Sequence, residues 1–298
     1  MTLLRNPFLL LTITTLIWGG NAVAGKFAVG HISPMMLTAC RWTLALTVIG
    51  LIAQDKIRQD WATIRENWLY LLLMGGFGFT AFNFCLYSAV HYISAINVAL
   101  EQSALPLVIF ILNLVFYKIG IRWLQVVGFS ITLIGVLVTI SLGDPIGFIM
   151  APGDGINRGD LFMLLGALFY GGYTVALRSK PDMHWQSFLA GLSIAALLFA
   201  LIGAAFEISQ GNTIYPTTSQ AYFVILYTGL FPSLLAQALF IKGNEFLGAN
   251  IAGLFINLVP VFAALLAVLL LGEQLHWYHA IAFILVMSGI MLAQRKPA

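Results

Sequence analysis

The chain has 298 residues, of which 60 % are hydrophobic and only 8 % charged. Globular domains carry about a quarter charged residues, so this composition excludes a soluble protein and leaves no basic module for nucleic acid. The net charge of +3 reflects where the basic residues fall along the chain, not an anionic partner.

A hydrocarbon core of about 30 Å is crossed by about 20 helical residues. Ten apolar segments meet that length: 7–28, 33–53, 67–90, 93–116, 121–141, 159–178, 184–208, 220–241, 248–271 and 276–294. Their length and Leu/Ala content predict an all-α membrane protein of ten transmembrane helices rather than the short alternating strands of a barrel. The first segment imitates a secretory signal, with Arg5, an apolar run to Gly20 and then Ala22-Val23-Ala24. It is read as a retained helix because its Trp18-Gly19-Gly20 has a counterpart later in the chain. Gly20 to Lys26 also fits the P-loop spacing, but Phe27 stands where a magnesium-binding hydroxyl belongs and no strand precedes it. No ATP site is therefore expected. Cys40 and Cys85 fall inside apolar segments and read as packed thiols.

The chain repeats itself. Ala95, Pro106, Trp123 and Gly135 return as Ala249, Pro260, Trp277 and Gly289, each 154 positions on. Trp18-Gly19-Gly20 returns as Tyr170-Gly171-Gly172 at a spacing of 152. Residues 1–141 and 159–298 are thus read as two five-helix repeats joined by a Gly/Pro-rich linker, 142–158. An odd number of spans forces the second repeat to enter the membrane upside down, the architecture of many secondary transporters.

Orientation follows from Lys and Arg. If the spans alternate, Arg5, Lys56, Arg58, Arg65, Lys118, Arg122, Arg178, Lys180, Lys242, Arg295 and Lys296 fall on one side, against Lys26 and Arg158 on the other. The positive-inside rule then puts both termini in the cytoplasm and the linker outside.

Two ionised groups, Arg41 and Glu101, lie within spans, where charge is costly unless paired or hydrated. Two readings stand: an Arg41–Glu101 brace, or a functional pair in which Glu101 meets a substrate ammonium or a proton and Arg41 shapes a gate. Glu207 lies near a helix end. Uncharged polar residues follow both the helical period and the repeat. Thr14, Trp18, Asn21 and Gly25 share a face of the first span; Gly166, Tyr170, Tyr173 and Leu177 share one of the sixth. Gly76, Thr80, Asn83 and Tyr87 align in the third, with Asn83 matching Gln237 in the eighth. Asn97 and Glu101 share a stripe of the fourth span, and Ser103 there matches Asn257 in the ninth. Such amides could merely tie helices together; as a set they predict a cavity for a small polar molecule with an apolar side chain. Pro106 and Pro260 sit mid-span at equivalent positions, and Pro232 matches Gly78. These are expected as kinks, either gating hinges or static curvature. Spans five and ten, with Gly128, Gly135 and Gly289, are expected as peripheral scaffold.

His276-Trp277-Tyr278-His279 with Glu273 offers possible metal geometry, but it opens a span where Trp and Tyr anchor helices at the interface. No metal and no cofactor is expected. No nucleophile–base arrangement appears, so no enzyme is expected.

The run Ile17 to Lys26, followed by Ser33-Pro34 and Arg41-Trp42, resembles the opening helices of the drug/metabolite transporter superfamily, EamA-type. Pro260 through Leu270-Leu271-Gly272-Glu273 to Gly289 resembles its closing helices. The resemblance covers essentially the whole chain as two EamA units, and within the superfamily it is strongest to bacterial aromatic amino acid exporters. It implies a central cavity bounded by helices one to four and six to nine, in a bacterial inner membrane, and efflux of aromatic and other neutral amino acids. Relatives carry diverse metabolites on similar motifs, and Ile119 stands in the first repeat where Glu273 stands in the second.

The expected substrate-binding residues are Trp18, Asn21, Phe79, Asn83, Tyr87, Asn97, Glu101, Tyr170, Tyr173, Gln237 and Asn257, and the expected gating residues Arg41, Pro106, Pro232 and Pro260. The expected partners are amino acids and the lipid bilayer, with no nucleic acid and no ATP. Export of another metabolite or drug is the alternative, and a passive pore the alternative of a different class. With one embedded carboxylate, facilitated diffusion and proton antiport are both open.

Overall fold

The computed structural model describes residues 6–118, 123–150, 157–247 and 255–294. Among these residues every regular element is helical. Eight helices are long and apolar enough to cross a membrane: α1 Pro7–Ala28, α2 Pro34–Ile52, α3 Trp68–Ala89, α4 Ala95–Tyr117, α5 Trp123–Ile140, α6 Arg158–Ser179, α7 Trp185–Ser209 and α8 Ser219–Gly243. Two shorter apolar helices follow, α9 Val259–Leu271 and α10 Trp277–Ala293. The chain is a multi-pass membrane protein. The first part of the predicted ninth span, with Ala249, lies outside the described residues, as do Arg5, Arg122, Arg295 and Lys296.

Local chemistry starts the helices where the sequence supplies caps. Asn6 Oδ1 accepts from the N–H groups of Phe8 and Leu9, at 3.1 and 3.3 Å, ahead of Pro7. Asn157 and Asp160 form a reciprocal capping box at the start of α6. Thr218 caps α8 through the Ala221 N–H.

Part of the linker is helical. The helix, Pro145–Met150, lies in its first half and is started by Asp144 Oδ1, which accepts the Gly147 N–H at 2.9 Å. Two further short helices, Gln54–Gln59 and Trp61–Glu66, connect α2 to α3.

Contacts among the connections sort into two groups. Lys26 Nζ donates to the carbonyls of Val90 and Ile93 at 2.7 and 3.1 Å, His31 Nδ1 meets Thr218 Oγ1 at 3.0 Å, and the Ser33 N–H donates to Ile214. At the other ends of the same helices, the His184 N–H donates to Asp60 and the Tyr70 hydroxyl donates to the Ala176 carbonyl. Lys26 lies where the last carbonyls of α3 concentrate partial negative charge.

The glycines of the opening motif are contact surfaces. A Cβ on Gly19 would press on the Ala263 nitrogen of α9, one on Gly20 on the Tyr227 hydroxyl of α8, and one on Gly25 on the Tyr87 ring of α3. One helix thus packs closely against three others, which accounts for the P-loop-like spacing without any phosphate. Helices α5 and α10 pair with each other through Gly128 and Gly289, whose backbones meet so closely that a Cβ on either would strike the other's carbonyl oxygen.

Among the described residues, three helices contain π-helical turns: α3 over Met74–Ala81, α8 over Phe231–Leu235 and α9 over Ala267–Leu271. Gly78 and Pro232, paired by the repeat, both fall in such turns. Pro106 and Pro260 are not mid-helix kinks as expected. Each sits in the first turn of a new helical stretch, after a turn at Ser103-Ala104 in α4 and at Asn257-Leu258 before α9. The two breaks share the 154-residue offset. A proline costs no hydrogen bond at that position, because the first N–H groups of a helix are unpaired anyway.

Candidate functional site

Arg41, in α2, is 5 % exposed and stands where four helices meet. Its Nε donates to Ser233 Oγ of α8 at 2.7 Å. Its Nη1 donates to Asn83 Oδ1 of α3 at 2.8 Å, to Asn21 Oδ1 of α1 at 3.2 Å and to the Tyr87 hydroxyl. Tyr87 in turn donates to Asn21 Oδ1 at 3.1 Å. Every one of these partners is uncharged. The Arg41–Glu101 brace, one of the two readings of the sequence, is therefore not what the structure shows; Arg41 is the hub of the amide cluster itself.

The irregular turns place its partners. Asn83 follows the π-helical turn of α3, and its Nδ2 is held by the Phe79 carbonyl at 2.6 Å. Ser233 lies inside the π-helical turn of α8 and donates to the Thr228 carbonyl at 2.8 Å, a spacing of five residues that a regular helix does not offer. Widened turns of this kind recur at functional sites because they re-aim side chains out of the helical register.

Beside the hub lies a run of aromatic rings. The Arg41 guanidinium is 5.2 Å from the Trp42 ring centre. Trp42 stacks on Phe79, with centroids 4.7 Å apart and planes 2° apart. Phe79 meets Tyr173, Tyr173 meets Tyr170, and Tyr170 meets Phe82, at 5.4, 5.4 and 4.8 Å. Gly78 makes room for the Tyr173 ring. Among the described residues, Trp42 Nε1 is buried with no acceptor, a donor left unpaired next to a buried cation.

Of the expected site residues, Asn21, Phe79, Asn83, Tyr87, Tyr170 and Tyr173 come together here with Arg41. Trp18 packs instead on Phe240, at 5.2 Å. Gln237 lies one turn beyond Ser233 and is not a partner of Arg41; Ser233 takes the place expected of it. Asn257 sits at the break before α9. Asn97 Oδ1 accepts from His279 Nε2 at 3.0 Å, while His279 Nδ1 accepts the His276 N–H, so the proton lies on Nε2. That geometry uses both ring nitrogens of His279. Glu273 accepts the N–H groups of Ala95 and Ile96 at 2.8 and 3.1 Å and so caps α4 rather than facing His276. Glu207 does the same for α2, accepting from Ser33 Oγ and the N–H groups of Met35 and Met36.

Glu101 belongs to a second locus. It is 5 % exposed and lines the same cavity as Asp160 of α6. That cavity, of about 200 Å³, lies between α4, α5 and α6.

Sequence reasoning missed Ser233, Trp42 and Asp160. The first two had a visible signal, a hydroxyl beside an intramembrane proline and an indole next to the embedded arginine. Asp160 had none, because three residues from Asn157 it reads as an ordinary helix cap.

Comparison with known proteins places this architecture. The chain matches the EamA-like transporter family over residues 6–141 and again over 157–294. It is 25 % identical over 294 residues to the uncharacterized transporter YyaM of Bacillus subtilis (strain 168), covering 97 % of this chain and 93 % of that one. It is 26 % identical over 284 residues to the uncharacterized transporter YetK of the same organism, covering 93 % and 83 %. An uncharacterized transporter of Archaeoglobus fulgidus is 25 % identical, with 97 % of each chain covered. A crystal structure at 20 % identity shares the fold, with a TM-score of 0.64 over 97 % of this chain and 96 % of that one. The chain belongs to the EamA-like transporter family.

Proposed function

We propose that this transporter exports amino acids, aromatic and other neutral ones, across the inner membrane, with the Arg41 cluster as its substrate site. The observation that carries this reading is a buried guanidinium whose partners are all neutral, with the unpaired Trp42 Nε1–H beside it. Neutral dipoles stabilise a buried charge only in part, so an incoming carboxylate gains a charge-assisted pair there. The adjoining rings of Trp42, Phe79, Tyr173 and Tyr170 supply the apolar surface that an aromatic or aliphatic side chain prefers. Asn21, Asn83 and Tyr87 orient the guanidinium and are within reach of the zwitterionic head.

The cluster is buried in this conformation, so loading and release require the helices around it to move. Two five-helix repeats, 1–141 and 159–298, of opposite orientation, with both termini cytoplasmic, would provide alternating access by rocking about the cluster. The π-helical turns at Gly78 and Pro232 and the breaks before Pro106 and Pro260 are the compliant points at which that motion is absorbed.

Counterflow in proteoliposomes tests the reading. Vesicles preloaded with an unlabelled aromatic amino acid should accumulate the labelled one saturably, and Arg41→Gln should abolish accumulation while leaving the protein monodisperse. Flux of no amino acid across a panel would overturn the substrate class; competition by unrelated metabolites would redirect it, and linear flux would indicate a pore.

A further inference from the structure

We propose that Glu101 and Asp160 together form a proton-binding site that holds one exchangeable proton between their carboxyl groups, at the seam between α4 and α6. Both side chains line the same cavity, and neither carboxylate has a hydrogen to donate to the other. Asp160 Oδ2 is already taken by the Asn157 N–H at 2.8 Å. Glu101 Oε1 is buried, and among the described residues no N–H or O–H group donates to it. One proton supplies the donor that the unpartnered Glu101 oxygen lacks. Both side chains are buried, at 5 % and 6 % exposure, and the wall beside them is apolar, formed by Val108, Val136, Phe148 and Leu164. Two negative charges buried on one apolar cavity wall cannot both persist.

Other charged groups around this stretch of α4 are engaged elsewhere. From α1, Lys26 holds the carbonyls of Val90 and Ile93. From the loop before α10, Glu273 caps Ala95 and Ile96. From α10, His279 faces α4 one turn earlier and is bonded to Asn97. Helices α5 and α9 bring no titratable side chain to it, and Arg158 of α6 is exposed. Asp160 lies in the first turn of α6, beside the exposed Asn157 and Arg158, so the path to water is short.

The site joins one helix from each half of the chain. While the halves stay together the pair keeps its proton; when α4 and α6 part, two separately hydrated carboxylates return it to water. One O–H bond forms on closing and one breaks on opening, with no other change. Coupling of that proton to cargo rests on the transport reading above, whereas the site itself does not.

Infrared spectroscopy of the purified, unsubstituted protein at neutral pH reads the proton directly, as the C=O stretch of a buried protonated carboxyl. The band is expected to be present, to move when glutamate or aspartate side chains are isotopically labelled, and to disappear in both Glu101→Gln and Asp160→Asn. Absence of the band in the unsubstituted protein, a band that neither label moves, or its survival unchanged in either variant would overturn the proposal. Labelling needs no substitution, so it decides the matter even where a variant fails to fold. Counterflow separates the two proposals: the band with no amino acid flux refutes the substrate class alone, and flux without the band refutes the proton site alone.

Discussion

Glu273 Oε1 accepts the Ala95 backbone N–H at 2.8 Å, so the loop before α10 supplies the cap for α4. Its Oε2 takes the next N–H, of Ile96, at 3.1 Å. Glu207 serves α2 in the same way. A carboxylate at a helix start satisfies orphan N–H groups and meets the positive end of the helix dipole. Replacing either with Ala should lower stability by about 1 kcal/mol, and Glu273→Gln should lose less, since one acceptor remains. Thermal denaturation in detergent measures this; an unchanged midpoint for both Ala variants would refute the capping role.

The Arg41 hub predicts a sharp difference between its two conservative replacements. Lysine keeps the charge but is a single point donor that cannot reproduce the planar fork spanning Ser233, Asn83, Asn21 and Tyr87. Arg41→Lys should therefore lose transport almost as fully as Arg41→Gln. Asn83→Ala and Ser233→Ala should each cost about 0.6 kcal/mol of stability, the usual worth of an interhelical bond in a membrane, and a larger share of activity. Full counterflow in Arg41→Lys would show that charge alone suffices.

Gly128 and Gly50 should respond in opposite ways to alanine. At Gly128 the new methyl group would meet the Gly289 carbonyl and the Ala293 nitrogen, backbone atoms that cannot turn aside. Overpacking of this kind costs about 1–3 kcal/mol. Gly50 has open space where its Cβ would go, so Gly50→Ala should be neutral or gain up to about 1 kcal/mol from helix propensity. Denaturation midpoints that move together would contradict the contact.

Pro232→Ala should damage transport more than stability. With the proline gone, α8 can regain a regular register, which rotates Ser233 away from Arg41. Loss of accumulation with a retained melting temperature is expected, along with slower hydrogen exchange at residues 231–236 as the ladder closes.

Orientation is open to direct labelling. Ala62 and Asn212 are exposed in connections at opposite ends of the helices. Ala62→Cys should react with an impermeant thiol reagent only in inverted vesicles, and Asn212→Cys in intact cells. The native Cys85 is buried and Cys40 partly so, which keeps the background low. Reaction of both variants from one side would reject the alternating arrangement.

Helix positions were largely legible in the chain because hydrophobic length is a one-dimensional property. The predicted 7–28 and 33–53 became Pro7–Ala28 and Pro34–Ile52. Repeat spacing also carried through to detail, since Ser103 and Asn257 mark equivalent breaks. Proline position was read correctly but its effect was not: a mid-span proline reads as a kink, whereas here the helix restarts just ahead of it. Side-chain partners were the least legible. Arg41 was visible as an embedded charge, but whether it would meet Glu101 or the amides depends on helix rotation, which sequence spacing constrains only within one helix. Asp160 illustrates the limit, because its capping role toward Asn157 concealed its place beside Glu101 on the cavity wall.

The Gly128–Gly289 contact bears on how such a molecule can change shape. With no side chain between the two backbones, α5 and α10 have no lubricating layer over which to slide. Rearrangements that keep this contact must therefore take place by flexing elsewhere in the molecule.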